Sequence, residues 1–238
     1  MANQLDLEEQ EQLDQIKHVW KQYGNLVTWI LIVVLGAYAA WNGYQYWQRN
    51  QAAQAAAMFD EVERVARTGD IAKVERAFTD MKEKFGGTAY AQQSGLAVAK
   101  LYFEAGKVDA AKAALGWVAD KAFDEGYQAI ARLRLAGILA EAKQYPEALA
   151  QLNNTFPNEF LPLVADRKGD ALALQGKTAE ARAEYEKAYK GFDARTEYRR
   201  LVEIKLNAMG VNPSATVVAA PAAGSVAVPA ASAAEGAK

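Results

Sequence analysis

The chain holds one histidine, His18, and no cysteine. Those two facts exclude a Ser-His-Asp triad in the body of the chain, a thiolate zinc site and a nucleophilic thiol. His18 itself stands just ahead of a long apolar run and reads as a polar residue at a membrane interface. Carboxylates are what remain. Glu180 with Glu184, or Glu141 with Glu147, could serve as acid and base on a cell-wall sugar. These acids are interspersed with lysine and arginine at helical spacing, as Glu186 is with Lys190, which describes solvated helix faces with ion pairs four residues apart. Two stretches resemble phosphate loops, Gly86-Gly87-Thr88 and Gly176-Lys177-Thr178, but neither follows a strand nor carries the GxxxxGK[ST] spacing. The expectation is a non-catalytic protein with no cofactor and no metal. Its 27 basic and 29 acidic residues, with a pI near 5.6, offer no basic field for nucleic acid.

What the chain offers is a surface, carried by repeated helices. Three segments share one internal spacing: residues 96–115, 133–152 and 166–185. A small residue (Ala99, Ala136, Gly169) is followed after twelve positions by an alanine (Ala111, Ala148, Ala181) and after four more by a large residue (Leu115, Leu152, Tyr185). The spacing predicts two antiparallel helices per segment, with small residues where the backbones cross. Turns fall at Gly106-Lys107, Lys143-Gln144 and Gly176-Lys177, two of them with glycine for a left-handed cap. Pro146 suits the first turn of its helix. A degenerate fourth copy over 61–78 places Val62, Val74 and Phe78 at the equivalent positions and Gly69 at the turn. Residues 197–210 read as a closing helix. The pattern matches the tetratricopeptide repeat, without its early large aromatic and closing proline. The fold class is therefore all-α: one amino-terminal transmembrane helix and a tetratricopeptide-like helical-hairpin solenoid.

The transmembrane helix is read from the gap between Lys21 and Arg49, which contains no charged residue. That exceeds the roughly 20 residues an α-helix needs to cross a hydrocarbon core. Trp20, Tyr23 and Trp29 at one end and Trp41, Tyr44, Tyr46 and Trp47 at the other form belts suited to the headgroup level. Ala37-Tyr38-Ala39 offers a signal-peptidase pattern, but the preceding residues carry Asp6, Glu8, Glu9, Glu11 and Asp14, whereas a signal sequence begins short and positive. The span is read as an uncleaved anchor. Lys17 and Lys21 before it nearly balance Arg49, Arg64 and Arg67 after it, so charge does not orient it. The resulting divisions are an acidic tail over 1–20, a transmembrane helix over 21–49, repeats over 50–210 and an Ala/Pro-rich tail over 211–238. That last tail has eleven alanines, three prolines and two charges and is expected to remain without a fold of its own.

Transferring the usual solenoid geometry, the first helix of each repeat lines a binding face. That face would carry Lys100, Phe103, Glu104, Gly137, Glu141, Asp166, Asp170 and Leu174, with Phe103 as the apolar anchor.

This layout resembles the YfgM family, ancillary subunits of the bacterial Sec translocon. The likeness is carried by 133–152, by "VADRKGDALALQGKTAEARAEYEKA" (164–188) and by "EIKLNAM" (203–209), and it spans roughly 15–209. The resemblance implies an inner-membrane protein with a cytoplasmic amino terminus and periplasmic repeats. It further implies association with SecYEG and the membrane-anchored prolyl isomerase PpiD, and a role in passing secreted polypeptides to periplasmic chaperones. A structural coordinator of envelope assembly or division, using the same face, is the alternative reading of the residues.

Overall fold

The computed structural model describes residues 7–213, of which the side chains of 7–16 and of residue 19 are not described. Nine α-helices and a 3-10 turn make up the described residues, with no strand among them. The first helix, α1 (Leu7–Thr68), is followed by α2 (Ile71–Phe85), α3 (Ala89–Glu104), α4 (Val108–Lys121), α5 (Glu125–Glu141) and α6 (Tyr145–Leu152). After the 3-10 turn (Asn158–Phe160) come α7 (Leu161–Leu174), α8 (Thr178–Gly191) and α9 (Glu197–Ala208). The chain divides into two compact units within α3, at Ser94 and Gly95. The carboxy-terminal tail from residue 214 lies outside the described residues.

In the first unit, α1 runs without interruption through the positions where composition separates tail, span and repeat. It contains a stretch long and apolar enough to cross a membrane, and its side chains there are almost wholly exposed. A helix apolar on every face, rather than along one stripe, is suited to lipid. Gly24 leaves room for the Trp20 ring, since a Cβ added there would lie 3.2–3.3 Å from it, tighter than ordinary contact. From Ala55 onward the same helix acquires a buried stripe, Ala55, Val62 and Val65, against which α2 lays Val74, Phe78 and Met81. Gly69, at φ 70°, ends α1, and Asp70 caps α2 by accepting from the Lys73 amide at 3.2 Å. The degenerate fourth repeat is thus a helical hairpin whose first helix is the end of the membrane helix.

The second unit holds the three clear repeats. The alanines at 99, 136, 111, 148 and 181, Gly169, Leu115, Leu152 and Tyr185 are all buried, as their repeating positions predict. The requirement for smallness is most stringent at Gly169: a Cβ there would lie 2.5 Å from the Tyr185 ring. Helices α7 and α8 therefore approach more closely than an alanine would permit. Neighbouring hairpins stack through α4 on α5 and α5 on α7.

The turns repeat as faithfully as the core. Gly106 (φ 71°), Lys143 (φ 59°) and Gly176 (φ 76°) take the left-handed conformation, and each following amide donates back five residues: Lys107 to Tyr102, Gln144 to Leu139 and Lys177 to Leu172, at 2.7–3.0 Å. This is the Schellman arrangement, which satisfies carbonyls that a helix end otherwise leaves open. Gly210 with Val211 closes α9 in the same way. Lys143 adopts the conformation without being glycine, at a steric cost that the other turns avoid.

Candidate functional site

The first helices of the three clear repeats, α3, α5 and α7, border a groove of about 500 Å³ in the second unit. Lys100 and Phe103 reach it from α3. The longest wall is α5, whose Ile130, Leu133, Arg134, Gly137, Ile138 and Glu141 follow at helical spacing. Phe160, from the 3-10 turn, and Leu163 and Arg167, from α7, complete the far side. The lining is largely apolar, and four charged side chains rim it. Phe103 is left 38 % exposed, an aromatic ring available at the surface rather than used in the core.

The cations of the rim differ in what holds them. Lys100 faces Glu104, one turn along α3, at 3.7 Å, and Arg167 pairs with Asp170 at 3.3 Å. Among the described residues Arg134 donates to the Leu96 carbonyl alone, at 3.3 Å. Glu141 forms no ion pair among the described residues. The arrangement can hold an apolar chain segment by contact and orient it by charge. It has no nucleophile paired to a base.

Of the residues predicted from the sequence, Lys100, Phe103, Gly137 and Glu141 come together in this groove, with Glu104 at its edge. Leu174 is exposed but lies outside the lining. Asp166 and Asp170 are placed in a different environment. Asp166 is fully buried; it accepts from the Tyr198 hydroxyl at 2.8 Å and from Lys205 Nζ at 2.7 Å. Asp170 accepts from the Tyr185 hydroxyl at 2.7 Å and from the same Lys205 Nζ at 2.6 Å. These two carboxylates thus clamp α9 onto α7 and α8, over an apolar cluster that includes Leu172, Tyr189, Val202 and Leu206. Their side chains point inward because the helical phase carried over from one repeat to the next turns them toward the closing helix. Burial, and then the bond to Asp166, pushes the Tyr198 phenol up to about 12, and burial with the Asp170 bond raises Tyr185 in the same direction.

Sequence reasoning missed Arg134, Ile138, Phe160 and Arg167. Arg134 stands in phase with Gly137 and Glu141, at i, i+3 and i+7, so extending the face by one turn would have found it. Phe160 carries no such signal, because it sits in the irregular link between repeats.

The tetratricopeptide repeat-like domain model matches residues 17–211. Three curated relatives, each named "Ancillary SecYEG translocon subunit", match most of their own length. The protein from Neisseria gonorrhoeae is 30 % identical over 207 residues, 85 % of this chain and 98 % of the relative. That from Haemophilus influenzae is 29 % identical over 185 residues, 76 % and 89 % of the two chains. That from Escherichia coli is 23 % identical over 206 residues, 85 % and 97 %. No solved structure matches this chain.

Proposed function

We propose, for a chain that belongs to the YfgM family and carries its tetratricopeptide repeat-like domain, that it is a non-catalytic adaptor of the Sec translocon, held in the inner membrane by α1. The observation that carries this reading is coverage: the family model spans residues 17–211, membrane helix and repeats together, and relatives named as translocon subunits are matched over 98 % and 97 % of their own length. The amino terminus is cytoplasmic and the repeats are periplasmic. Partner segments lie in the groove between α3, α5 and α7, with Lys100, Phe103 and Glu141 among the contacts and Glu104 at the edge. Asp166 and Asp170 act indirectly, by closing the repeat stack behind that groove.

Anchoring supports this mode of action. A repeat unit fixed beside the exit of the translocon meets emerging chains at high local concentration, so weak binding suffices. An apolar groove with a charged rim suits segments not yet folded, which expose the apolar side chains that folding would hide. The finer reading, in which the chain meets the prolyl isomerase PpiD and helps secreted polypeptides reach periplasmic chaperones, rests on the family resemblance.

The test is isolation of the translocon from membranes in mild detergent, with SecYEG and PpiD fractions probed for this chain. Stoichiometric recovery with SecYEG is expected. Reproducible absence would overturn the translocon reading, and recovery with SecYEG but without PpiD would remove only the latter partner.

A further inference from the structure

Four charged side chains line the groove between α3, α5 and α7, and three of them are cations: Lys100, Arg134 and Arg167, against the single acid Glu141. The chain as a whole carries a net charge of -2, so this cationic excess is local. The three cations are not equally available. Lys100 has Glu104 at 3.7 Å and Arg167 has Asp170 at 3.3 Å, so each stands beside a carboxylate of its own helix. Arg134 stands beside none. It is exposed, its one acceptor among the described residues is the Leu96 carbonyl at 3.3 Å, and a guanidinium carries five N–H donors, so most of its donor capacity is left for a ligand.

The surroundings of Arg134 define what that ligand looks like. Ile130 precedes it by one turn on α5, and Leu163 stands one turn before Arg167 on α7, so each of these two walls sets an apolar side chain beside a guanidinium. Phe103 adds an aromatic ring from the third wall. Glu141 lies seven residues beyond Arg134, about 10.5 Å along the helix axis, and forms no ion pair among the described residues. It repels a second carboxylate at that end. The α5 wall is therefore polarised: it attracts an acid at Arg134 and refuses one two turns on.

We propose that the groove selects apolar segments of partner proteins that carry an acidic residue, with the carboxylate on Arg134 and the apolar neighbours against Phe103, Ile130 and Leu163. The inference rests on the reading of this groove as the partner surface, and names the chemistry that the surface takes. A volume of about 500 Å³ is that of a pocket for one compact ligand, about 300–1,000 Å³, so it admits a short stretch of a partner and no folded domain. The carboxylate comes from another protein. Asp6, Glu8, Glu9, Glu11 and Asp14 of the chain itself precede the membrane stretch while the groove follows it, which puts the bilayer between them. Apolar contact supplies the bulk of the binding and the arginine supplies the choice, because a carboxylate can take two parallel bonds from a guanidinium whereas a lysine in the same place meets three cations.

The test uses the full-length protein in detergent and a short labelled peptide of valine, leucine and serine with capped ends and one central Asp, followed by fluorescence anisotropy. Two further peptides carry Asn or Lys in place of the Asp. The Asp peptide should bind about three- to tenfold more tightly than the Asn peptide, the scale of one charge-assisted contact at an exposed site, and the Lys peptide more weakly than either. Arg134→Gln should bring the ratio of Asp to Asn affinities close to one, and Arg134→Glu should turn the preference toward Lys, which also shows that the altered groove is still folded. Phe103→Ala should weaken all three peptides alike. No preference for Asp, a preference that survives Arg134→Gln, or peptide binding that is lost as the protein is concentrated, which would assign the groove to a second copy, would each overturn the inference. Binding of all three peptides that depends on Phe103 but ignores their charge would leave the groove standing as a partner surface and remove only its selectivity. Absence of binding by any peptide, with Phe103→Ala silent, would remove both.

Discussion

At Gly169 one hydrogen atom decides how closely two helices can pack. A methyl group in its place would lie 2.5 Å from the Tyr185 ring, and that ring is held by its own hydroxyl bond to Asp170, so it cannot swing aside freely. Gly169→Ala should therefore cost about 1–3 kcal/mol despite the better helix propensity of alanine, measured by urea unfolding of the detergent-solubilised protein. An unchanged or raised midpoint would show that α7 and α8 are not seated as described. Lys143 presents the opposite case. It is exposed, at φ 59°, in a turn where the equivalent residues of the neighbouring repeats are Gly106 and Gly176. Lys143→Gly should raise stability by about 0.5–1 kcal/mol by relieving the left-handed strain. A loss of stability would mean that the lysine makes a contact worth more than the strain.

At the scale of the element, α9 is secured by a polar clamp set on an apolar seat. Val202 and Leu206 are buried against α7 and α8, while Lys205 between them reaches both Asp166 and Asp170. The Tyr198 hydroxyl completes the shell of Asp166, and its phenol is held up to about 12 by burial and by that bond. The folded protein thus holds this proton more tightly than the unfolded chain, whose tyrosines titrate near about 10. Linkage then gives a stabilising contribution that is complete below pH about 10 and is lost as the pH rises toward about 12. Tyr198→Phe should lower stability at pH 8 by about 1–3 kcal/mol, since a fully buried carboxylate loses a donor, and should also lose less stability than the parent between pH 10 and 12. Equal alkaline losses in both proteins would place the Tyr198 proton elsewhere.

The repeats were legible in the sequence because close helix crossings restrict residue size at fixed intervals, and a size restriction leaves a trace at positions such as 99, 111 and 115. The site was legible in part, for a related reason. Phase along one helix places Phe103 and Glu141 on the groove and is kept in the third repeat, where Leu163 and Arg167 line it as Ile130 and Arg134 do. Asp166 stands at the position that buries Leu96 and Leu133, and with Asp170 it meets the donors of α8 and α9 that no periodicity of the repeats announces. Phe160 depends on the path of the irregular link, which no periodicity describes.

For the molecule as a whole, the decisive feature is that α1 runs unbroken from the membrane stretch into the first hairpin. The aromatic belt ends at Trp47 and the first fully buried residue of the hairpin is Ala55, eight positions on, or about 12 Å of helix. No glycine or proline interrupts that interval, so helix propensity supports a stiff stalk in place of a linker. A stalk this short and stiff confines the first hairpin to the near vicinity of the bilayer, on whichever side it lies. The orientation prediction is therefore sharp. In intact spheroplasts, protease added outside should remove an epitope placed after residue 238 and degrade the chain beyond Arg49, while an epitope before Met1 survives. Protection of the distal epitope, with lysis required for its loss, would put the repeats in the cytoplasm. Introducing Pro at position 51 supplies the mechanical counterpart. A broken stalk should leave the repeat unit folded, as judged by its unfolding midpoint, yet reduce recovery with SecYEG severalfold, because the first hairpin is then no longer held close to the bilayer. Undiminished recovery would show that tethering alone suffices.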